Sequence, residues 1–260
     1  MEWILDQQLV LMTTCFLVAF LYTSLGLTGA SAYMAIMSFF FLSLVTLRPA
    51  VLAVNTIAAA SSGILYYRRG ELKMRKLLPL ILGSLPLVFM GSKIGVSETL
   101  NFVLLGAVLI PVSIFLLVQI NKKKSVRLSP KIYPTWLLVL IGGVIGFFSG
   151  LTGIGGGVVL LGLLMYMRWD FKIPLAAICS IFILLNSLMG FGVTLTQGLQ
   201  HIPWLLIVFA AIGAGLGAQL GTRMNLKGFS RKGMKTITAL VILLAGAKLL
   251  FIDGLKIYEF

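Results

Sequence analysis

The sequence Gly-Leu-Thr-Gly occurs at residues 26–29 and again at residues 150–153, where it continues as Ile-Gly-Gly-Gly through residue 157. Both copies interrupt long apolar runs, and apolar helix-forming sequence resumes directly after each one. Because glycine allows sharp turns and close backbone approach, each copy predicts a break between two helices. We expect the two breaks, Gly26–Gly29 and Gly150–Gly157, to be corresponding features of an internal repeat that face each other.

The composition indicates a membrane protein. Apolar residues make up 59% of the 260-residue chain, and charged residues make up only 11%, whereas soluble domains average about 25% charged. Apolar runs of roughly 17–25 residues, the length needed to cross a bilayer, recur along the chain. These runs lack strand-like alternation, so we predict an all-α, polytopic transmembrane helical bundle.

The apolar runs divide the chain into two halves of five segments each. The segments cover approximately residues 8–25, 30–46, 49–66, 74–93, 98–120, 134–150, 154–167, 173–194, 202–221 and 234–252. Besides the Gly-Leu-Thr-Gly copies, Pro79 matches Pro203 at an offset of 124 residues, and Gly91 matches Gly217 at 126. We predict two membrane repeats, residues 1–120 and 134–260, joined by a basic cytoplasmic linker at 121–133.

An odd number of segments per half predicts that the second repeat is inverted relative to the first. With this topology, 17 of the 21 Lys and Arg residues lie on one side, and Arg48, Lys93, Lys248 and Lys256 lie on the other. Cytoplasmic loops collect basic residues, so both termini are predicted on the non-cytoplasmic side of the cell inner membrane. The net charge of +14 then reflects topology and not a nucleic-acid partner. The first two segments of each half are either full spans or a re-entrant hairpin.

The two breaks are the predicted binding site. A helix that restarts after a break exposes free N–H groups and the positive end of its dipole, which favours anions. Transporters with inverted repeats bind substrate at such breaks near the midplane. The predicted substrate-binding residues are Gly26, Thr28, Gly29, Asn55, Ser62, Thr152, Gly153, Gly155, Gly156, Gly157, Asn186 and Ser187. The alternatives are tight packed turns at the breaks and ordinary interhelical hydrogen bonds at the polar residues.

Other residues argue against different kinds of site. All seven acidic residues lie at segment ends or in loops, which disfavours a carboxylate-based cation or proton transporter. His201 is the only histidine, so we expect no metal site, no cofactor and no enzyme activity. Glycines repeat every four residues at 142, 146 and 150 and at 213, 217 and 221, which predicts close helix packing. A non-transporting accessory subunit remains the main alternative function, and an intramembrane enzyme is a weaker one.

The sequence also resembles a known family, the TauE/SafE or sulfite exporter family. The resemblance lies in GLTGIGGG at 150–157, GLTGAS at 26–31, Ser62-Gly63 followed by Tyr67-Arg68-Arg69-Gly70, and the glycine run at 213–221. It implies a multi-pass inner-membrane transporter that exports small anions such as sulfite, thiosulfate or sulfonates. The first break departs from the family pattern because Ala30-Ser31-Ala32 replaces a glycine cluster. We therefore expect the anion to bind mainly at the second break; the oligomeric state stays open.

Overall fold

The computed structural model describes residues 2–38, 44–121, 131–196, 204–227 and 232–255, and these residues form helices and short turns with no β-strand. The helices are α1 (Glu2–Ser24), α2 (Ala30–Met37), α3 (Leu44–Arg68), α4 (Met74–Lys93), α5 (Glu98–Asn121), α6 (Thr135–Thr152), α7 (Gly157–Met167), α8 (Lys172–Thr196), α9 (Trp204–Leu226) and α10 (Lys232–Ala247). A π-helical turn, Lys248–Gly254, continues α10. The prediction of an all-α polytopic bundle is confirmed.

The ten helices follow the ten predicted segments, with two differences in length. Within the described residues, seven helices are long and apolar enough to cross a membrane: α1, α3, α4, α6, α8, α9 and α10 with its π-helical turn. In contrast, α2 has 8 residues and α7 has 11, so at 1.5 Å per residue they span only about 12 and 16 Å. Each break therefore joins a full-length helix to a half-length one. The predicted segment 30–46 was too long, because α2 ends at Met37 and residue 44 already belongs to α3.

Glycines bring two helix pairs into backbone contact, as the four-residue spacing predicted. On α6, a Cβ added at Gly146 would lie 2.6 Å from the carbonyl oxygen of Ser84 in α4. On α9, a Cβ at Gly217 would overlap the carbonyl oxygen of Phe16 in α1. We call these two contacts the α4–α6 seam and the α1–α9 seam. Only glycine permits such close approach of two helix backbones.

The packing exchanges helices between the two halves of the chain. Helix α1 packs mainly on α9, and α6, which corresponds to α1 in the predicted repeat, packs mainly on α4. Helices α3 and α8 contact each other in the centre, and so do α5 and α10. If each helix of the first five is replaced by its counterpart among the last five, and the reverse, these same pairs of helices are in contact. The inverted orientation of the halves stays a prediction.

Several basic connections meet at one end of the bundle. Lys73 and Lys76, between α3 and α4, form ion pairs of 2.9 and 2.8 Å with Asp170, between α7 and α8. Burial alone raises the pKa of the Asp170 carboxyl, but hydrogen bonds from the two lysines outweigh burial and leave that pKa below its ordinary value. Nearby, the Lys131 amide donates to the carbonyl of Arg168 at 3.0 Å. We refer to this end as the basic end.

Candidate functional site

The second break is a buried turn held by glycines in left-handed conformations. Gly153 ends α6 with φ +79°, and Gly155 and Gly156 follow with φ +74° and +69°. Gly156 is the N-cap of α7, so the first free N–H groups of α7 face the turn. All residues from 150 to 157 are buried. Side chains other than glycine adopt this backbone at a cost of about 1–2 kcal/mol each.

Two predicted residues from the central helices meet at this turn. Asn55 of α3 donates from Nδ2 to Ser187 Oγ of α8 over 2.8 Å. A Cβ added at Gly155 would lie 2.8 Å from Ser187 Oγ and 2.9 Å from Asn55 Nδ2. The turn, α3 and α8 therefore converge on one polar point, which we call the Asn55–Ser187 pair. Asn55 Oδ1 is buried and has no hydrogen-bond partner.

Asn186 precedes Ser187 in α8 and carries a second unused polar atom. Its Oδ1 accepts a hydrogen bond from Ser84 of α4, while its Nδ2 is buried without a partner. Asn186 itself is only 2% exposed. An unsatisfied buried polar group costs about 1–3 kcal/mol, so unused amide atoms on neighbouring elements indicate a place for a polar ligand.

Arg48, at the start of α3, lies directly against the second break. One of its terminal nitrogens donates to the carbonyl oxygen of Gly150, which also accepts from Ser92 Oγ at 3.3 Å. A Cβ added at Gly153 would lie 2.8 Å from Arg48 Cγ and 3.2 Å from Arg48 Nε. Arg48 Nε is buried and without a partner. The guanidinium therefore binds the carbonyl of Gly150 near the end of α6 and keeps one donor unused.

The remaining glycines of the second break serve the turn itself. Gly157 begins α7 against Ile183, leaving no room for a side chain. A Cβ at Gly156 would lie 2.7 Å from Ile145 Cγ2. The hydroxyl of Thr152 donates to the carbonyl of Phe148 in its own helix at 2.7 Å. These residues shape the break, and the Thr152 hydroxyl donates its hydrogen bond within α6.

The first break forms a separate cluster near the basic end. Gly26, with φ +83°, packs against Ala176 of α8. Gly29 is the N-cap of α2, packed on Val18 and Tyr33, and Thr28 is buried beside it. Asn225 of α9 donates to the carbonyl of Ser24 at 2.8 Å and accepts from Tyr66 at 3.1 Å. At each break a side chain from another helix therefore donates to a carbonyl near the end of the preceding helix, Asn225 here and Arg48 at the second break.

The predicted residues thus fall into two groups. Asn55, Gly155 and Ser187 are in direct contact at the second break, which also contains Thr152, Gly153, Gly156 and Gly157, whereas Asn186 precedes Ser187 and binds Ser84 of α4. The second group, at the first break, consists of Gly26, Thr28 and Gly29. Ser62 is elsewhere on α3, where its hydroxyl accepts from Thr222 of α9 at 2.9 Å. The sequence reasoning treated both breaks as one site, whereas the structure gives each break its own neighbours.

Three residues around the second break were missed: Arg48, Ser84 and Ser92. Arg48 was counted among loop residues, although it is the only charged residue between Asp6 and Arg68. A lone charge between two long apolar runs was the available signal. The two serines carried no signal in sequence, since hydroxyls are common in membrane helices.

Metal-binding clusters are not found in the described part of the chain, where no three His, Cys, Asp or Glu side chains group together. His201, which the sequence reasoning set aside as a ligand, lies outside the described residues. Cys15 and Cys179 are buried free thiols on separate helices.

Comparison with known proteins agrees with the membrane architecture. Residues 11–249 match the family described as "Sulfite exporter TauE/SafE". The chain is 29% identical over 240 residues, 91% of this chain and 95% of the relative, to "Probable membrane transporter protein y4hK" of Sinorhizobium fredii. It is 32% identical over 114 residues, 44% of this chain and 40% of the relative, to "Probable membrane transporter protein YunE" of Bacillus subtilis. No solved structure matches significantly. The chain therefore belongs to the sulfite exporter TauE/SafE family of membrane transporters.

Proposed function

We propose that this transporter moves a small sulfur-containing oxyanion, such as sulfite, thiosulfate or a sulfonate, out of the cell, and that the anion binds at the second break. The two halves are inverted repeats in the cell inner membrane, and transport proceeds by alternating access. The basic end faces the cytoplasm, so both termini lie on the opposite side. The family description and the two relatives support the transporter class, and the geometry below supports the site.

The observation that carries the proposal is that Asn55 and Ser187 meet the Gly155 turn, while buried amide atoms of Asn55 and of Asn186, the residue before Ser187, have no partner. Asn186 Nδ2 is a free donor on the α8 side. Asn55 presents its amide to Gly155, and a half-turn of that amide group would let Oδ1 accept from Ser187 while Nδ2 becomes a second free donor. Neutral donors bind an oxyanion without a charge that would hold it too tightly for release.

The N-terminus of α7 supports the same site. Its 11 residues begin at Gly157, directly after the turn that touches the Asn55–Ser187 pair. Free N–H groups and the positive end of the helix dipole favour an anion at this position. Two sources of hydrogen-bond donation, the Asn55 amide and the N-terminal end of α7, therefore adjoin the Gly155 turn, and Asn186 adds an unused donor on the residue before Ser187.

The depth of the site also fits transport. Asn55 lies close to the middle of α3, and Ser187 lies close to the middle of α8; each helix has 25 residues. Such helices extend about 37 Å and can cross the membrane. A ligand at the pair would thus be near the midplane, from which small rearrangements of the bundle can open a path to either side.

The test is anion efflux from liposomes reconstituted with the purified full chain and loaded with sulfite, thiosulfate or methanesulfonate. We expect Ser187→Ala to weaken the apparent affinity about tenfold, since it removes one hydrogen bond at the site. The matched control is Ser180→Ala, because Ser180 lies on the same helix and donates to the carbonyl of Ala176 in that helix. Efflux by the chain alone would exclude a role as a non-transporting subunit. No efflux of any of the three anions would refute the proposal.

A further inference from the structure

We infer that the second break selects oxyanions with a single negative charge, because Arg48 supplies one fixed positive charge there and forms no ion pair within the described part of the chain. This inference rests on the proposed function and defines its substrate class more narrowly. Singly charged candidates include bisulfite and alkyl sulfonates, whereas sulfate and thiosulfate carry two charges. The family resemblance does not separate these two groups.

The first step is that the guanidinium of Arg48 belongs to the break. It donates to the carbonyl of Gly150, and its Nε lies beside Gly153 without a partner. An arginine presents several donors in a planar fork, which suits an oxyanion better than a single ammonium group does. Arg48 is partly exposed and lies near the start of α3, at the end of the helix opposite the basic end.

The second step is the absence of a compensating acid. The sequence contains no Asp or Glu between residues 7 and 70, between 72 and 97, between 99 and 169, or between 171 and 252. Helices α3, α4, α6, α7 and α8, which surround the break, therefore carry no acidic residue, and Glu98 stands at the beginning of the neighbouring helix α5. Among the other cations at this end, Lys248 is ion-paired with Asp253 at 2.8 Å, and Lys93 lies over the Phe89 ring.

The third step concerns the helix ends. The last carbonyls of α6 place a partial negative charge at the break, and the first N–H groups of α7 place a similar partial positive charge there. These two contributions oppose each other, so the charge of Arg48 remains. A monoanion makes the occupied site electrically neutral. A dianion leaves one uncompensated negative charge inside the membrane.

The size of the preference follows from the cost of that residual charge. Placing one charged side chain at the centre of a membrane helix costs free energy, and a cost of the same size on the bound dianion would weaken its binding roughly 100-fold. We therefore expect a monoanion to bind about 100-fold more tightly than a dianion of the same shape. A site without a net charge would discriminate by shape alone.

The experiment compares methanesulfonate with methylphosphonate, which have nearly the same shape, by calorimetry on the detergent-purified full chain. At alkaline pH methylphosphonate is a dianion, while methanesulfonate stays a monoanion. We expect methanesulfonate to bind about 100-fold more tightly, and sulfate to bind as weakly as methylphosphonate. Equal or tighter binding of the dianions would overturn the inference, while transport of sulfur oxyanions would still stand. Failure of every anion to bind would refute both proposals.

Two variants separate charge selection from a purely structural role. Arg48→Lys keeps the charge and should keep the preference for methanesulfonate. Arg48→Gln keeps a donor for the Gly150 carbonyl but removes the charge, and it should bind both anions weakly and about equally. If Arg48→Gln keeps the 100-fold preference, Arg48 serves only as a helix cap and the inference is wrong.

Discussion

The substitution Gly155→Ala should damage both stability and anion binding. The backbone of Gly155 has φ +74°, which costs an alanine about 1–2 kcal/mol. The new methyl group would also lie 2.8 Å from Ser187 Oγ and 2.9 Å from Asn55 Nδ2. Pushing these side chains apart sacrifices their hydrogen bond, which is worth about 1 kcal/mol, and leaves buried polar atoms unsatisfied. The expected loss is about 2–4 kcal/mol in the free energy of unfolding.

The control is Gly162→Ala, in the middle of α7, the helix that follows the turn. A Cβ at Gly162 would meet no atom within 4 Å, and alanine is favoured over glycine inside a helix by roughly 0.5–1 kcal/mol. Unfolding of both variants in detergent can be followed with a thiol-reactive fluorophore, because Cys15 and Cys179 are buried. Gly155→Ala should melt earlier than wild type and bind methanesulfonate weakly, whereas Gly162→Ala should do neither. Equal melting and equal binding of the two variants would refute the geometry of the second break.

Two further predictions concern the packing and the basic end. Gly217→Val should destabilise the chain by about 1–3 kcal/mol, because the side chain would force the α1–α9 seam apart at Phe16. The measurement is the melting temperature. The control Gly192→Ala should change it little, because a Cβ at Gly192 meets no atom within 4 Å. Asp170 has a lowered pKa in the folded chain, so its ion pairs contribute stability above the unfolded pKa of about 4, and that contribution is lost as the pH falls through the folded value. Melting measured across this acidic range should fall less steeply for Asp170→Asn than for wild type; parallel curves would contradict the assignment.

The helices and their breaks could be predicted from the sequence because a bilayer imposes simple constraints. Apolar runs must be helical in lipid, and glycine repeats at one-turn spacing mark close packing. The same reasoning placed Asn55, Gly155 and Ser187 in one site, where the structure brings them into contact. The half-length of α2 was harder to predict, since its apolar run continues toward α3 without a polar interruption.

The partners of each break could not be read from the sequence. Arg48 stands next to a proline at the start of a span, where a loop residue is the ordinary interpretation. Its burial depends on the second break docking against α3, which is a contact between residues 102 positions apart. Ser84 and Asn186 are likewise separated by 102 positions and meet only because α4 crosses α8. Sequence patterns report local periodicity, and contacts between distant segments leave no such trace.

The exchange of helices between the two halves has a consequence for how the protein is made. Met12 of α1 packs against Gly213 of α9, and 201 residues separate them. The ribosome must therefore complete almost the whole chain before α1 meets its main partner, while the α4–α6 seam can close much earlier. Until α9 has been synthesised, the face of α1 that will pack on α9 contacts lipid or the insertion machinery. Contacts of α1 with α9 and of α4 with α6 thus join the two halves, although the sequence divides cleanly between them.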